Sequence, residues 1–453
     1  MKNLSIENIL SAVKGKYLGD EKLFEKKISF VTTDSRKAEE GCLFAAIKGE
    51  RSDGHDYIEK ALEMGALCAI GEKAPKKSGL PVILVENTIE ALGDLAGFYR
   101  EQLQIPILGI TGSVGKTTAK EMCASVLSQR FKLHKTDKNL NNELGVPLTL
   151  FGINEDHQLA VVEMGISHFG EMGRLGEIVR PDMALYTAIG AAHLEFLGDY
   201  EGVLRAKSEM LEFLPPKGKV FINGDDGTLK KLKSDREIIS FGLSAGCQVK
   251  GENIVHESLD GTAFDIVRGN RRIPVRINAY GTHLISAALG ASAVAMSLGL
   301  TDEEIAKGIS EYAPVGSRSA AVMTDKITII DDCYNANPSS VCSAIDSLAG
   351  LSGRLVCILG DMGELGADEE KLHYKVGSYG AKKGIHRLIA CGKLSKNTAE
   401  GARAAGCPEV FYFENKADLK KELSALIAEG DRVLVKASHS QAFEEIVGWL
   451  KEL

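Results

Sequence analysis

The segment Ile107-Leu-Gly-Ile-Thr-Gly-Ser-Val-Gly-Lys-Thr-Thr118 constrains this chain more than any other. An apolar run passes into a glycine-rich turn and then into a helical pattern from about Thr117 to Gln129. A strand, tight turn and helix start of this kind aim successive backbone N–H groups at one point, a cradle for phosphate oxygens. Gly112, Ser113, Val114, Gly115, Lys116, Thr117 and Thr118 are therefore candidate nucleotide-binding residues. Lys116 brings a mobile positive charge to the β- and γ-phosphates, and the Thr117 hydroxyl suits Mg²⁺. Strict Walker spacing asks for glycine at position 110, where the chain has Ile110. A guanine-reading N-K-x-D pattern recurs at Asn415-Lys416-Ala417-Asp418. It lies too far downstream to face the same base, and Asp418 fits a helix N-cap.

Around this segment, short β-branched runs alternate with helical patterns, the signature of an α/β architecture with largely parallel sheets. Candidate strands are Ile107–Ile110, Leu159–Glu163, Met183–Ala188, Val220–Asn223 and Ile238–Phe241, then Ile327–Asp331, Leu355–Leu359, Arg387–Ala390, Val410–Phe413 and Val433–Lys436. The chain has 453 residues, and at about 150 residues per domain that suggests about three domains. Boundaries are expected after the run PVILVE and at Pro314–Gly316, giving domains 1–86, 87–313 and 314–453. Apolar residues make up 44% and charged residues 26%, the balance of a soluble globular protein. A formal charge of −8 argues against broad nonspecific nucleic-acid binding, which needs basic surface, and leaves room only for local basic pockets. Nine cysteines without any C-x-x-C pair support neither a disulfide framework nor a zinc ribbon, and fit a reducing cytoplasm. The N-terminal MKNLSIENILSAVKGKY lacks a signal-peptide core, and the apolar stretch Ala287–Leu300 is too short for a bilayer and reads as a buried helix. A monomer with no membrane insertion is expected.

Downstream of the turn, Glu163 closes the strand LAVVEMG, where a carboxylate can approach a phosphate-bound Mg²⁺. His193, in AAHLEFLG, follows another strand end, where open α/β sheets place their ligands. Lys207, in Arg205-Ala-Lys-Ser-Glu209, reads from its surroundings alone as a solvated helix lysine. Asn139, Asn141 and Asn142 form an amide-rich loop that fits either a turn or a polar substrate.

Taken together, TDSR (33–36), LFAAIKGERSDGHDY (43–57), GITGSVGKTTAKE (109–121), NLNNELGVPLTL (139–150), VEMGISHFGEM (162–172), AAHLEFLG (191–198), AKSEM (206–210), DDCYNANPSS (331–340), LGDMGELG (359–366) and VKAS (435–438) resemble the Mur ligase family of peptidoglycan precursor synthesis. DDCYNANP and LGDMGELG resemble the tripeptide-using branch in particular. The resemblance implies a small N-terminal α/β domain that binds UDP, a central P-loop ATPase domain with a mainly parallel sheet, and a Rossmann-like α/β C-terminal ligase domain. It implies ATP and Mg²⁺ as cofactors, and UDP-MurNAc-tripeptide and D-Ala-D-Ala as substrates joined through an acyl phosphate. Asp34, Ser35, Arg36, Lys48 and Gly49, with Asn141 and Asn142, match substrate positions. Lys116, His193 and Lys207 match catalytic positions, and Thr117, Glu163, His193 and Lys207 the metal site. Lys207 matches a lysine that is carbamoylated in many relatives. His283, Arg318, Asp332, Tyr334 and Asn335 match ATP contacts. Two departures stand out: Leu284 and Ala287 replace the asparagines of an H-N-x-x-N element, and His439 replaces an arginine. The alternatives are a sibling ligase adding one amino acid, a folylpolyglutamate-type ligase, and a nucleotide switch without ligase activity. Because the matched ATP contacts fall in two domains, a hinge at Pro314–Gly316 and an open form with Arg318 far from the phosphate loop are expected.

Overall fold

The strand that carries the phosphate loop, Ile107–Thr111, lies inside a nine-stranded sheet and is buried along its whole length. The computed structural model describes residues 1–49, 52–257, 259, 261–316 and 320–453. From one edge the order is Leu133–Lys135, Leu159–Glu163, Ile107–Thr111, Met183–Tyr186, Lys219–Asn223, Glu237–Gly242, Val249–His256, Thr262–Arg268 and Arg271–Ile277. The first seven strands run parallel and the last two antiparallel. Chain order reverses beside Ile107–Thr111, so the carboxyl ends of three neighbouring strands open into one crevice, the ligand position of open α/β sheets.

A five-stranded sheet precedes it, in the order Lys16–Tyr17, Val82–Leu84, Cys68–Gly71, Leu43–Ala45, Val31–Thr32, antiparallel only at its first pair. A six-stranded sheet follows, in the order Ala320–Met323, Thr328–Asp331, Arg432–Lys436, Leu355–Gly360, Arg387–Cys391, Glu409–Phe413, antiparallel only at Ala320–Met323. The first two sheets share a continuous hydrophobic cluster running from Leu4 and Ile6 through Leu92 and Tyr99 to Val162 and Met210.

Most expected strands form within a residue or two. Met183–Ala188 ends earlier, at Tyr186, because Thr187 and Ala188 turn to the phosphate loop. There the Thr187 hydroxyl donates to Val114 O (2.5 Å) and Ser113 N donates to Ala188 O (2.7 Å). The apolar stretch lies in a helix, His283–Ser297, whose residues from Ala287 to Met296 are buried. Asn415, rather than Asp418, caps the helix Lys416–Leu426, accepting from Asp418 N (3.0 Å); the N-K-x-D match is a helix start. The expected open form is not what the structure holds: the last two domains are closed on each other. Thr282 and Ser347 hydroxyls meet at 3.0 Å, and Tyr280 is buried within the hydrophobic cluster of the third sheet.

Candidate active site

The phosphate loop is shaped by backbone conformation. Gly112 has φ +151°, and a Cβ there would lie 2.0 Å from Thr187 Oγ1, so no side chain fits. Gly115, at φ +80°, leads into the helix Lys116–Leu127, whose first turn has no side-chain cap. Its N–H groups are therefore available to an anion. Lys116 Nζ folds back onto Gly112 O (2.8 Å). Ile110 occupies the expected glycine position as a fully buried strand residue, its carbonyl accepting from Met164 N, so the loop proper begins two residues later.

At the next strand end Glu163 is 1% exposed and held from both sides. Thr117 Oγ1 donates to its Oε2 (2.8 Å) and Asn141 Nδ2 to its Oε1 (2.7 Å). Lys120, not anticipated from sequence, is fully buried; its ammonium donates to Thr136 O (2.8 Å) and lies 2.9 Å from Glu121 Oε1 and 4.0 Å from Glu163 Oε2. A hydroxyl and a carboxylate meeting beside a phosphate cradle are hard oxygen donors that suit Mg²⁺, which takes few protein ligands and completes its shell with phosphate and water. Among the described residues no group of three or more His, Cys, Asp or Glu side chains is arranged to hold a metal.

His193 has φ +55°, and its Nδ1 lies 2.5 Å from Glu364 Oε2 of the third domain, off the line of a straight hydrogen bond. Burial lowers its pKa, with the positive charges of Lys207 and Lys116 acting in the same direction and Glu364 against them. Lys207 is 1% exposed, contrary to its reading as a solvated lysine. Burial, reinforced by Lys116, pulls its pKa well below the usual lysine range, opposed only weakly by Glu171. No carboxylate among the described residues lies within 4.0 Å of its ammonium.

A cavity of about 1080 Å³ joins the phosphate loop, Glu163 and His193, while Lys207 is not among its lining residues. The central domain lines it with Ser113 to Ala119, Asn139, Asn141, Asn142, Glu163, His193 and His283, the first domain with Lys48 and Gly49, and the third with Asp332, Tyr334 and Asn335. Asp34, Ser35 and Arg36 are not among its lining residues. Asp34 instead accepts from Arg36 Nε (2.8 Å) and Nη2 (2.9 Å), which holds its carboxyl down at about 2. Asp332 is paired with Lys436 Nζ at 2.6 Å, and Lys436, a cavity residue missed in the sequence, also donates to Asn335 O (2.8 Å). Asp332 counters the burial that lowers the His283 pKa. Where relatives carry asparagines, Leu284 is buried in the core and Ala287 lines the cavity beside Asn223 and Ser286, which meet at 3.4 Å. Arg318 lies outside the described residues. His439 stands with its side chain 76% exposed, its ring 5.8 Å from that of Tyr334.

Comparison with known proteins bears on this arrangement. Residues 27–100 match the profile "Mur ligase family, catalytic domain", 110–295 "Mur ligase middle domain", and 317–439 "Mur ligase, glutamate ligase domain". The UDP-N-acetylmuramoyl-tripeptide–D-alanyl-D-alanine ligase of Escherichia coli K12 is 37% identical over 428 residues, 93% of each chain. Its namesake in Bacillus subtilis 168 is 36% identical over 453 residues, 98% of this chain and 97% of the relative. Among solved structures, MurF from Acinetobacter baumannii superposes with a TM-score of 0.91 at 31% identity over 99% of both chains. MurF ligase from Thermotoga maritima, in complex with ADP, gives 0.83 at 27% identity over 93% of this chain and 97% of that one. Three domain profiles in chain order and full-length likeness at these identities lead to one conclusion: the chain belongs to the Mur ligase family.

Proposed function

We propose that this chain joins D-alanyl-D-alanine to UDP-MurNAc-tripeptide with cleavage of ATP, the last cytoplasmic step in building the UDP-MurNAc-pentapeptide of peptidoglycan. The observation that carries the reading is the cavity where the uncapped phosphate loop, the Thr117–Glu163–Asn141 array and residues of the first and third domains meet. Full-length likeness to ligases of that name supports the choice of substrates.

In this reading the terminal carboxylate of the tripeptide attacks the γ-phosphorus of ATP, and ADP leaves. The resulting acyl phosphate is attacked by the amine of D-Ala-D-Ala, and the tetrahedral intermediate collapses to the amide with loss of phosphate. Two anions must approach in the first step, so charge neutralisation dominates the barrier. The loop N–H groups from Gly112 to Thr118 and the Lys116 ammonium hold the phosphates. Thr117 and Glu163, with His193 and Lys207 nearby, would hold Mg²⁺, which when bound neutralises phosphate charge. Asn141 braces Glu163 from the other side. Burial lowers the Lys207 pKa, which favours the deprotonated amine that can add CO₂ and lose a proton, leaving a carbamate anion where the buried ammonium stood. Asp34, Ser35, Arg36, Lys48, Gly49 and Asn142 hold the UDP-substrate, and His283, Arg318, Asp332, Tyr334 and Asn335 hold ATP. The units are the UDP-binding domain (1–86), the ATP-binding domain (87–313) and the ligase domain (314–453), acting as a monomer. Among the described residues no helix is long and apolar enough to cross a membrane.

The test is product mass after incubation with ATP, Mg²⁺, D-Ala-D-Ala and UDP-MurNAc-tripeptide carrying lysine or diaminopimelate. UDP-MurNAc-pentapeptide is expected, with one ¹⁸O passing from a labelled tripeptide carboxylate to phosphate. Phosphate release without pentapeptide would overturn the assignment.

A further inference from the structure

The loop that follows strand Leu355–Gly360 is fixed at nearly every residue. Asp361 Oδ1 accepts from Ser395 N (2.8 Å) and Ser395 Oγ (2.6 Å), anchoring the start of the helix Ser395–Ala404. Met362 N donates to His373 Nε2 (2.9 Å), Gly363 N donates to Ser438 Oγ (2.9 Å), and Met362 and Leu365 are buried in the core of the third domain. Glu364 is the exception. Its backbone takes φ +59°, a left-handed conformation that is unfavourable for a residue with a Cβ, and its side chain leaves its own domain to reach His193. His193 sits at φ +55°, so left-handed residues face each other across the interface. Gly366, at φ +65°, completes the contact: a Cβ there would lie 3.3 Å from Glu195 Cα.

A bond meant as glue would not be built this way. The Glu364 side chain is 55% exposed and that of His193 28%, and ion pairs that wet contribute little to stability. What the contact does constrain is the proton on the imidazole. His193 Nδ1 is shielded from solvent and makes no hydrogen bond, but the Glu364 carboxylate stands 2.5 Å from it. A lone pair on Nδ1 would face that negative charge, so the contact favours the tautomer with the proton on Nδ1 and leaves Nε2 as the basic nitrogen of a residue that lines the cavity.

We infer that Glu364 is a positioning residue: it sets the tautomer and ring orientation of His193, and because it comes from the third domain it does so only when that domain is closed. The inference rests on the proposed ligase reading for the assay, although the histidine state can be measured without it. Glu364→Ala is expected to lower kcat for pentapeptide formation by tenfold or more, with KM for ATP and for the UDP-substrate changed by less than about threefold. Glu364→Gln keeps an acceptor oxygen and is expected to recover kcat to within about threefold of wild type. Independently, ¹⁵N spectra of histidine-labelled, metal-free protein with ADP, the His193 signal assigned by its loss in His193→Gln, should show a protonated Nδ1 in wild type and Glu364→Gln and a mixture of tautomers in Glu364→Ala. Wild-type kcat in Glu364→Ala would overturn the inference, as would an unchanged His193 spectrum in that variant. If wild type itself makes no pentapeptide, the ligase reading fails while the spectra still decide the role of Glu364.

Discussion

His373 offers a sharp test of how the third domain holds its interdomain loop. It is fully buried on the helix Glu369–Lys382; its Nε2 accepts from Met362 N–H (2.9 Å) and its Nδ1 lies 2.7 Å from Glu369 O. Only the neutral ring with its proton on Nδ1 satisfies both partners, a tautomer assigned from the hydrogen-bond network. Burial lowers its pKa accordingly. An unfolded histidine takes its proton near pH 6.5, so below that pH the unfolded chain binds more protons than the folded one. Stability from this group is therefore complete above pH 6.5 and falls as acid is added, by at most about 1.4 kcal/mol per pH unit. His373→Leu removes the titration and leaves the Met362 N–H without its acceptor, a loss of about 1–3 kcal/mol. The assay is urea unfolding followed by fluorescence of Trp449, the single tryptophan, which lies in the last helix and so reports this domain alone. The variant should be less stable by that amount at pH 7.5, and the gap to wild type should close toward pH 5. A gap that stays constant from pH 8 to pH 5 would refute the neutral, doubly bonded ring.

Three further outcomes are expected. Thr117→Val removes the hydroxyl bound to Glu163 and should lower kcat by about 10²–10³, with Thr117→Ser restoring most of it in a phosphate-release assay. Gly112→Ala places a methyl 2.0 Å from Thr187 Oγ1 and should weaken ADP binding at least tenfold, about 1.4 kcal/mol, by calorimetry. Protein equilibrated with ¹³C-bicarbonate should show a carbamate resonance that Lys207→Ala lacks, and a spectrum without it would argue that Lys207 stays an amine.

Local features were the legible ones. The phosphate loop is contiguous and depends on glycines at Gly112 and Gly115, and Glu163 betrayed itself as a charge closing an apolar strand. The antiparallel edge was harder. Arg271–Ile277 alternates buried and exposed residues, yet Pro274 lies inside the run, which a sheet tolerates at an edge strand and which weakens the pattern to a reader. Lys207 reads as solvated because nothing in its neighbours along the chain shows that the helix turns that face inward. Glu364 and Lys436 were hidden for a different reason: their partners, His193 and Asp332, lie far away in sequence. Only the closed packing of the domains brings the first pair together.

Tyr280 carries a consequence for anyone who would recombine these enzymes. It belongs by sequence to the segment entering the nucleotide-lining helix, yet its ring is part of the hydrophobic cluster with Leu348, Leu355 and Cys357. A chimera cut at the Pro314–Gly316 turn would give the grafted C-terminal portion a foreign plug, or none, in a socket shaped for a tyrosine. The interchangeable module is thus not a continuous stretch of chain but residues 320–453 together with the short insert around Tyr280, and grafts that carry both are the ones expected to exchange cleanly.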